Sequence, residues 1–201
     1  MKLTATMFMS LDGVYQGQGG PDEDRRNGFE RGGWVSLKPD KEIWPYIQSV
    51  YARADAFLLG RRTYENWAGY WPHHDAGDPV SHGLNVLPKY VPSTTLTDPT
   101  WHGTHVISRD VEAAVRELKQ QPGRELQVHG SGVLLRWLLE RDLVDDLNLL
   151  IYPVVVGDGF RVVPERGPTH DLTLIESRTT AFGVMLQTYR PMGRAALGIG
   201  G

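Results

Sequence analysis

Alternation governs the first residues of the chain. Leu3, Ala5, Met7 and Met9 fall on one side of an extended backbone, so Lys2 to Met9 predicts a strand with one buried face. The pattern then stops for a long stretch, DGVYQGQGGPDEDRRNGFERGG, rich in glycine and charge. Loops of that length inside a compact domain are uncommon and are often lids or binding loops. With little to bury, this one is expected to behave as a lid from Asp12 to Gly33, ordered mainly by ligand contacts. Helical spacing follows at Ile47, Val50, Tyr51 and Ala54, with Pro45 in a first helical turn. Ala56 to Leu59 predicts a strand that ends at Gly60. A second irregular stretch, NWAGYWPHHDAGDPVSHG, comes next.

Short strands are predicted around Lys89 to Thr95 and His105 to Ser108. Asp110 can cap a helix whose Val111, Ala114, Val115 and Leu118 line one face, and Pro122-Gly123 ends it. Glu125 to His129 reads as a strand. Gly130-Ser131-Gly132 turns it into the helix VLLRWLLER. Leu147, Leu149 and Ile151 alternate before Pro153, VVVGDGF makes a glycine loop, and Leu172 to Glu176 and Val184 to Tyr189 resemble an antiparallel pair. Strands alternate with helices until about Arg141 and dominate afterwards. That order predicts a parallel α/β core with an antiparallel edge. The expected boundaries are one domain over residues 1–191 and a loose, glycine-rich tail over 192–201.

Composition narrows the function classes. A chain of 201 residues suits one domain with a sizeable core. A net charge of -3, with no basic block, gives no reason to expect nucleic acid or an acidic membrane as partner. The chain has no cysteine, which excludes disulfides and thiolate metal sites and fits a reducing cytoplasm. No apolar run approaches a membrane span or a signal peptide's apolar region.

Candidate chemistry gathers at two strand-glycine-helix junctions, Gly60 and Gly130-Ser131-Gly132. In open α/β sheets ligands bind beyond the carboxyl ends of strands, where a helix N-terminus offers free N–H groups and partial positive charge. Arg61, Arg62 and Thr63 sit on the first junction, and Ser108-Arg109 ends another strand. Two such junctions in one chain suggest a ligand with several phosphates, and an arginine fork suits a phosphate monoester such as the 2′-phosphate of NADP. The alternative is that the arginines are solvated turn residues and the glycines serve helix packing. The spacing matches neither a GxGxxG fingerprint nor a Walker A motif.

The ordered series MSLDG, LLGRRTYENW and VHGSGVLLRWLLERDLVDDLNLLIYPVVVGDG resembles the dihydrofolate reductase superfamily. More narrowly, it is similar to the branch that includes the reductase domain of the bifunctional riboflavin-biosynthesis enzyme, over nearly the whole chain. The resemblance implies a single α/β domain. Its sheet would be mixed, mainly parallel and eight-stranded, with helices on both faces and an antiparallel C-terminal hairpin. It also implies an NADPH-dependent reduction and, at family level, a homodimer. Residue by residue, Gly60, Arg61, Arg62 and Thr63 match the phosphate-contacting turn. Gly130, Ser131 and Gly132 match the glycine triplet under the pyrophosphate. Ser10, Leu11, Asp12 and Gly13 match the loop that passes the nicotinamide. In folate reductases a cis peptide joins two of the triplet's glycines; here the middle one is Ser131.

The substrate half departs from the family. The acid that binds the pterin in folate reductases falls near Trp44, with Glu42 the nearest carboxylate, and a tryptophan cannot make a carboxylate's paired hydrogen bonds. The stretch after SLDG also departs from the riboflavin enzyme's usual pattern. Asp12 is the best-placed proton source for hydride transfer to a C=N or C=O bond. Since Asp-Gly is a favoured turn pair, it can equally brace its loop. Trp44, Trp67 and Trp71 are the candidate substrate contacts; Trp67, Tyr70 and Trp71 are either core or one wall of a pocket for a flat heterocycle. His73, His74, Asp75 and His82 lack the ligand pattern of a metal site. His129 reads as packed, and Asp158 as a turn residue. The chain is therefore expected to be a cytoplasmic reductase taking hydride from NADPH to a small heterocyclic, carbonyl or imine substrate. The alternatives are 5-amino-6-(5-phosphoribosylamino)uracil reductase of riboflavin biosynthesis and a non-catalytic NADP-binding protein.

Overall fold

The structure, a computed structural model, describes residues 1–74, 77–164, 167 and 169–195. Along the chain lie β1 (Lys2–Ser10), α1 (Ile43–Tyr51), β2 (Ala54–Leu58), α2 (Arg61–Ala68), α3 (Pro79–Val86), β3 (Lys89–Pro92) and β4 (Thr104–Ile107). After them come α4 (Val111–Gln120), β5 (Glu125–His129), α5 (Gly132–Leu139), β6 (Asp146–Tyr152), β7 (His170–Thr179) and β8 (Met185–Arg194). The strands form one sheet in the order β4-β3-β2-β5-β1-β6-β8-β7. β2 pairs in parallel with β3 and β5, and β3 with β4. β8 runs antiparallel to both β6 and β7. The mixed sheet with an antiparallel C-terminal hairpin is the architecture the resemblance implied. The contacts divide into two compact units, Met1–Ala5 with Asp40–Leu134, and Thr6–Pro39 with Leu135–Gly201.

In the first unit β5 is buried at all five positions. Leu126 and Val128 fill one face. The other carries Glu125, Gln127 and His129, the period-2 neighbours of a strand. These polar groups satisfy one another. Arg53 Nε donates to Glu125 Oε1 at 2.7 Å, Gln127 Nε2 to Glu125 Oε2 at 2.7 Å, and the His129 ring meets Gln127 Oε1 at 3.0 Å. Tyr51 stacks on that ring at 4.2 Å. α1 turns Ile43, Ile47, Val50 and Tyr51 into the core at helical spacing.

The second irregular stretch contains a helix the sequence reading missed, α3. Its signal is Asp78-Pro79: Asp78 caps it by accepting from Ser81 N at 3.0 Å, and Pro79 opens it. Its far end is closed by Lys89, wholly buried, whose ammonium donates to the carbonyls of Leu84 and Leu87 at 2.6 and 2.7 Å and lies over the Trp101 ring. At α4 the expected cap is absent. Asp110 is left-handed, with φ 47, and its side chain makes no capping hydrogen bond. Aspartate tolerates that conformation.

In the second unit the long loop is not the sparsely packed lid expected of it. Val14, Gln16, Phe29 and Trp34 are buried. Gln16 is the hub: its amide nitrogen donates to the carbonyls of Asp24 and Arg26, its Oε1 accepts from Phe160 N at 2.9 Å, and its own carbonyl accepts from Trp34 Nε1 at 3.0 Å. Phe29 seats where Gly17 and Gly159, both left-handed, leave room; a Cβ at either would lie within 3.0 Å of its ring. Burying one such ring is worth about 1.5–3 kcal/mol, so the loop is held without a ligand. β6 is buried along its whole length, whereas the edge strand β7 is largely exposed. β8 continues to Arg194, so residues 192–194 belong to a strand rather than to the expected tail. Residues 196–201 lie outside the described residues.

Candidate functional site

β2 and β5 are parallel neighbours, so Gly60 and Gly130 leave the sheet at the same end of the first unit. Gly60 is extended (φ −62, ψ 146) and α2 starts directly after it with no side-chain cap. The N–H groups of Arg61, Arg62 and Thr63 therefore have no acceptor within the helix. Gly130 and Ser131 are consecutive left-handed residues, φ 56 and 55, and no peptide among the described residues is cis. A Cβ at Gly130 would meet only Thr63 Oγ1, at an ordinary 3.7 Å, so glycine is needed there for its φ rather than for crowding. Ser131 Oγ accepts from Gly60 N at 2.9 Å and lies 2.9 Å from Thr63 Oγ1 and 3.1 Å from the His129 carbonyl.

The two arginines differ. Arg61 is committed, its Nε donating to Glu65 Oε1 at 2.7 Å and its Nη1 to Thr95 Oγ1. Arg62 is exposed and has no ion-pair partner among the described residues. The structure thus brings together Gly60, Arg62, Thr63, Gly130, Ser131 and Gly132. Ser108 and Arg109 follow the outermost strand, β4, which β3 separates from β2. Free first-turn amides, an uncommitted guanidinium and a threonine hydroxyl are the donor set a phosphate needs, so these residues fit the phosphates of a dinucleotide.

In the second unit Asp12 does not fit a proton donor. Its carboxylate accepts from Ser10 Oγ at 2.7 Å, Val156 N at 2.9 Å and Gly157 N at 2.8 Å, and Arg161 lies 3.5 Å away. Burial pushes its pKa up, but the hydrogen bonds from Ser10, Val156 and Gly157 outweigh burial and bring it down to about 2. A group so held stays ionised at neutral pH and braces its loop against the Val156-Gly157 turn. Arg161 Nε adds a bond to the Asp12 carbonyl at 3.0 Å. Leu11 is exposed beside it. Gly13 has φ +82, and a Cβ there would meet nothing within 4 Å.

Of the tryptophans, Trp67 and Trp71 meet edge to face at 6.3 Å, and Tyr70 packs on Trp71 at 5.1 Å. Trp44 is not with them: it is exposed on α1 and makes no ring contact among the described residues. His74 stacks on Tyr70 at 3.7 Å and His82 lies in α3. No group of three acidic or histidine side chains that could hold a metal occurs among the described residues, and Asp75 lies outside them. His129 is packed among Tyr51, Phe57 and Trp67, where burial lowers its pKa to about 3 and keeps it neutral.

Comparison with known proteins bears on the family and the fold. The RibD C-terminal domain family matches residues 1–186. The uncharacterized protein YyaP of Bacillus subtilis (strain 168) is 24% identical over 191 residues, 94% of each chain. Among solved structures, a candidate riboflavin biosynthesis protein from Shewanella sp. PV-4 superposes with a TM-score of 0.72 at 19% identity, covering 95% of this chain and 99% of its own. Dihydrofolate reductase from Enterococcus faecalis, complexed with NADP(H), gives 0.56 at 13% identity, covering 95% and 96%. The chain belongs to the RibD C-terminal domain family and is an NADPH-dependent oxidoreductase of dihydrofolate reductase-like fold.

Proposed function

We propose that this chain reduces a small flat heterocycle, or a carbonyl or imine compound, and holds the phosphates of NADPH at the Gly60 and Gly130 junctions. One observation carries the reading: Arg62, exposed and without an ion-pair partner among the described residues, stands on a helix N-terminus beside the left-handed Gly130-Ser131 turn. Arg62 and the first-turn amides of α2 would take the 2′-phosphate. Thr63 and the Gly130-Gly132 turn would take the pyrophosphate. When bound, NADPH supplies the hydride. Asp12 holds its loop rather than giving up a proton, and neutral His129, with its pKa near 3, is no acid either. The proton is therefore assigned to water or to the substrate itself.

The aromatic set Trp67, Tyr70 and Trp71 supports a flat substrate, since rings stack on rings. Dihydrofolate is not that substrate, because the position of its acid is occupied near Trp44 by a residue without a carboxylate, and sites that lack such a partner discriminate by orders of magnitude. The pyrimidine-type reduction of riboflavin synthesis is the specific form favoured by the family. The homodimer expected of the family belongs to the same reading, and sedimentation at twice the 22.5 kDa chain mass tests it.

The functional test follows NADPH absorbance across a panel of aminouracils, carbonyl compounds, imines and dihydrofolate. The expected result is oxidation with at least one of the first three classes and turnover below about 1 per second, the low end of ordinary enzyme rates, with dihydrofolate. A chain that NADPH stabilises against heat but that oxidises it with no compound would instead be a nucleotide-binding protein.

A further inference from the structure

Gly130 and Gly132 flank a serine that stands in the left-handed region, at φ 55. Glycine would occupy that conformation without strain, so a side chain there costs the fold something. Ser131 returns the cost through its hydroxyl, which sits between both junctions. It takes the Gly60 N–H at 2.9 Å and lies 2.9 Å from Thr63 Oγ1 and 3.1 Å from the His129 carbonyl. Gly60 is itself explained by this side chain. Its φ of −62 suits any residue, yet a Cβ there would stand 3.1 Å from Ser131 Oγ and 3.2 Å from Ser131 Cβ. The two positions are a matched pair.

We propose that Ser131 is a positioning residue for cofactor phosphate, tying the end of β2 to the end of β5 and steering the hydroxyl of Thr63. The proposal rests on the assignment of the phosphates to these junctions. A hydroxyl has one proton to give and two lone pairs to receive. With one lone pair filled by Gly60 N–H, Ser131 has two arrangements. In the first it donates to the His129 carbonyl and accepts the proton of Thr63. In the second it donates to Thr63 Oγ1, and the proton of Thr63 is released to point at a ligand oxygen. A bound phosphate selects the second arrangement, and no backbone atom has to move. The tie also removes the Gly60 amide from the donors open to a ligand.

The test compares wild type with Ser131→Gly and Ser131→Ala. Ser131→Gly keeps the turn and relieves its strain; Ser131→Ala keeps the strain; both remove the hydroxyl. Amide hydrogen exchange at Gly60, measured without cofactor, should speed up in both variants. Fluorescence titration should show NADPH and NADH each binding about tenfold more weakly in both variants, a change of about 1.4 kcal/mol. The ratio between the two cofactors should be unchanged, because the 2′-phosphate contact is untouched. With a turned-over substrate, KM for NADPH should rise while kcat at saturation stays within about twofold. Unchanged NADPH affinity in Ser131→Gly would overturn the positioning role, and so would a changed cofactor ratio. Failure of the wild type to bind NADPH would overturn the phosphate assignment, and the positioning role with it, whatever the exchange rate of Gly60.

Discussion

At the scale of single residues, the two arginines that look equivalent in sequence are not. Arg61 spends its guanidinium on Glu65 and Thr95, while Arg62 is left exposed without an ion-pair partner among the described residues. Losing a charge-assisted contact typically costs about 1.5–3 kcal/mol, roughly tenfold to a hundredfold in affinity. Arg62→Ala should therefore erase most of a preference for NADPH over NADH, and Arg61→Ala much less, as read by titrating both cofactors into each variant. Asp12 yields a prediction with a definite sign. Its folded pKa, about 2, lies below the ordinary 3.8, so its stabilising effect is complete above pH 3.8 and is lost as pH falls toward 2. Asp12→Asn should lower stability at neutral pH by about 1–3 kcal/mol. The gap from wild type should narrow across that acid window in denaturant melts. If Asp12 were the proton donor, the same variant would also abolish turnover under conditions where it is still folded.

At the scale of elements, the strands were largely legible because burial imposes a period on the sequence. β5 appeared with its observed bounds, Glu125 to His129, and β6 and the C-terminal hairpin within a few residues. α3 was not read because its apolar face is only Val80 and Leu84, while Asp78-Pro79, the capping signal, lay inside a run of turn-forming residues. The long loop misled for a related reason. Its glycine and charge suggested nothing to bury, but Phe29 and Trp34 plug it and one glutamine answers several of its backbone groups. Periodicity has no way to register a lone hub such as Gln16. The element should accordingly depend on that residue more than on any ligand. Gln16→Ala should sharply increase proteolytic cleavage within residues 19–28, with or without NADPH. Cleavage that slows only when cofactor is added to the wild type would restore the lid.

At the scale of the whole molecule, the ordered motifs were enough to place the chain in its family and to imply the eight-stranded mixed sheet. The two junctions proposed to hold the cofactor were legible because glycine at strand ends and cations on a helix N-terminus are local signals. The tie between Gly60 and Ser131 was not, since it joins positions 71 residues apart through a single hydroxyl. The substrate half stayed faint for the same reason: Trp67 and Trp71 come together while Trp44 does not, a distinction made only by tertiary packing. The central claim is that Arg62 and the α2 N-terminus grip the phosphate that distinguishes NADPH from NADH. Parallel calorimetric titration of the two cofactors into the wild-type chain tests it most directly. The account predicts that NADPH binds roughly tenfold to a hundredfold more tightly than NADH; equal affinities would contradict it.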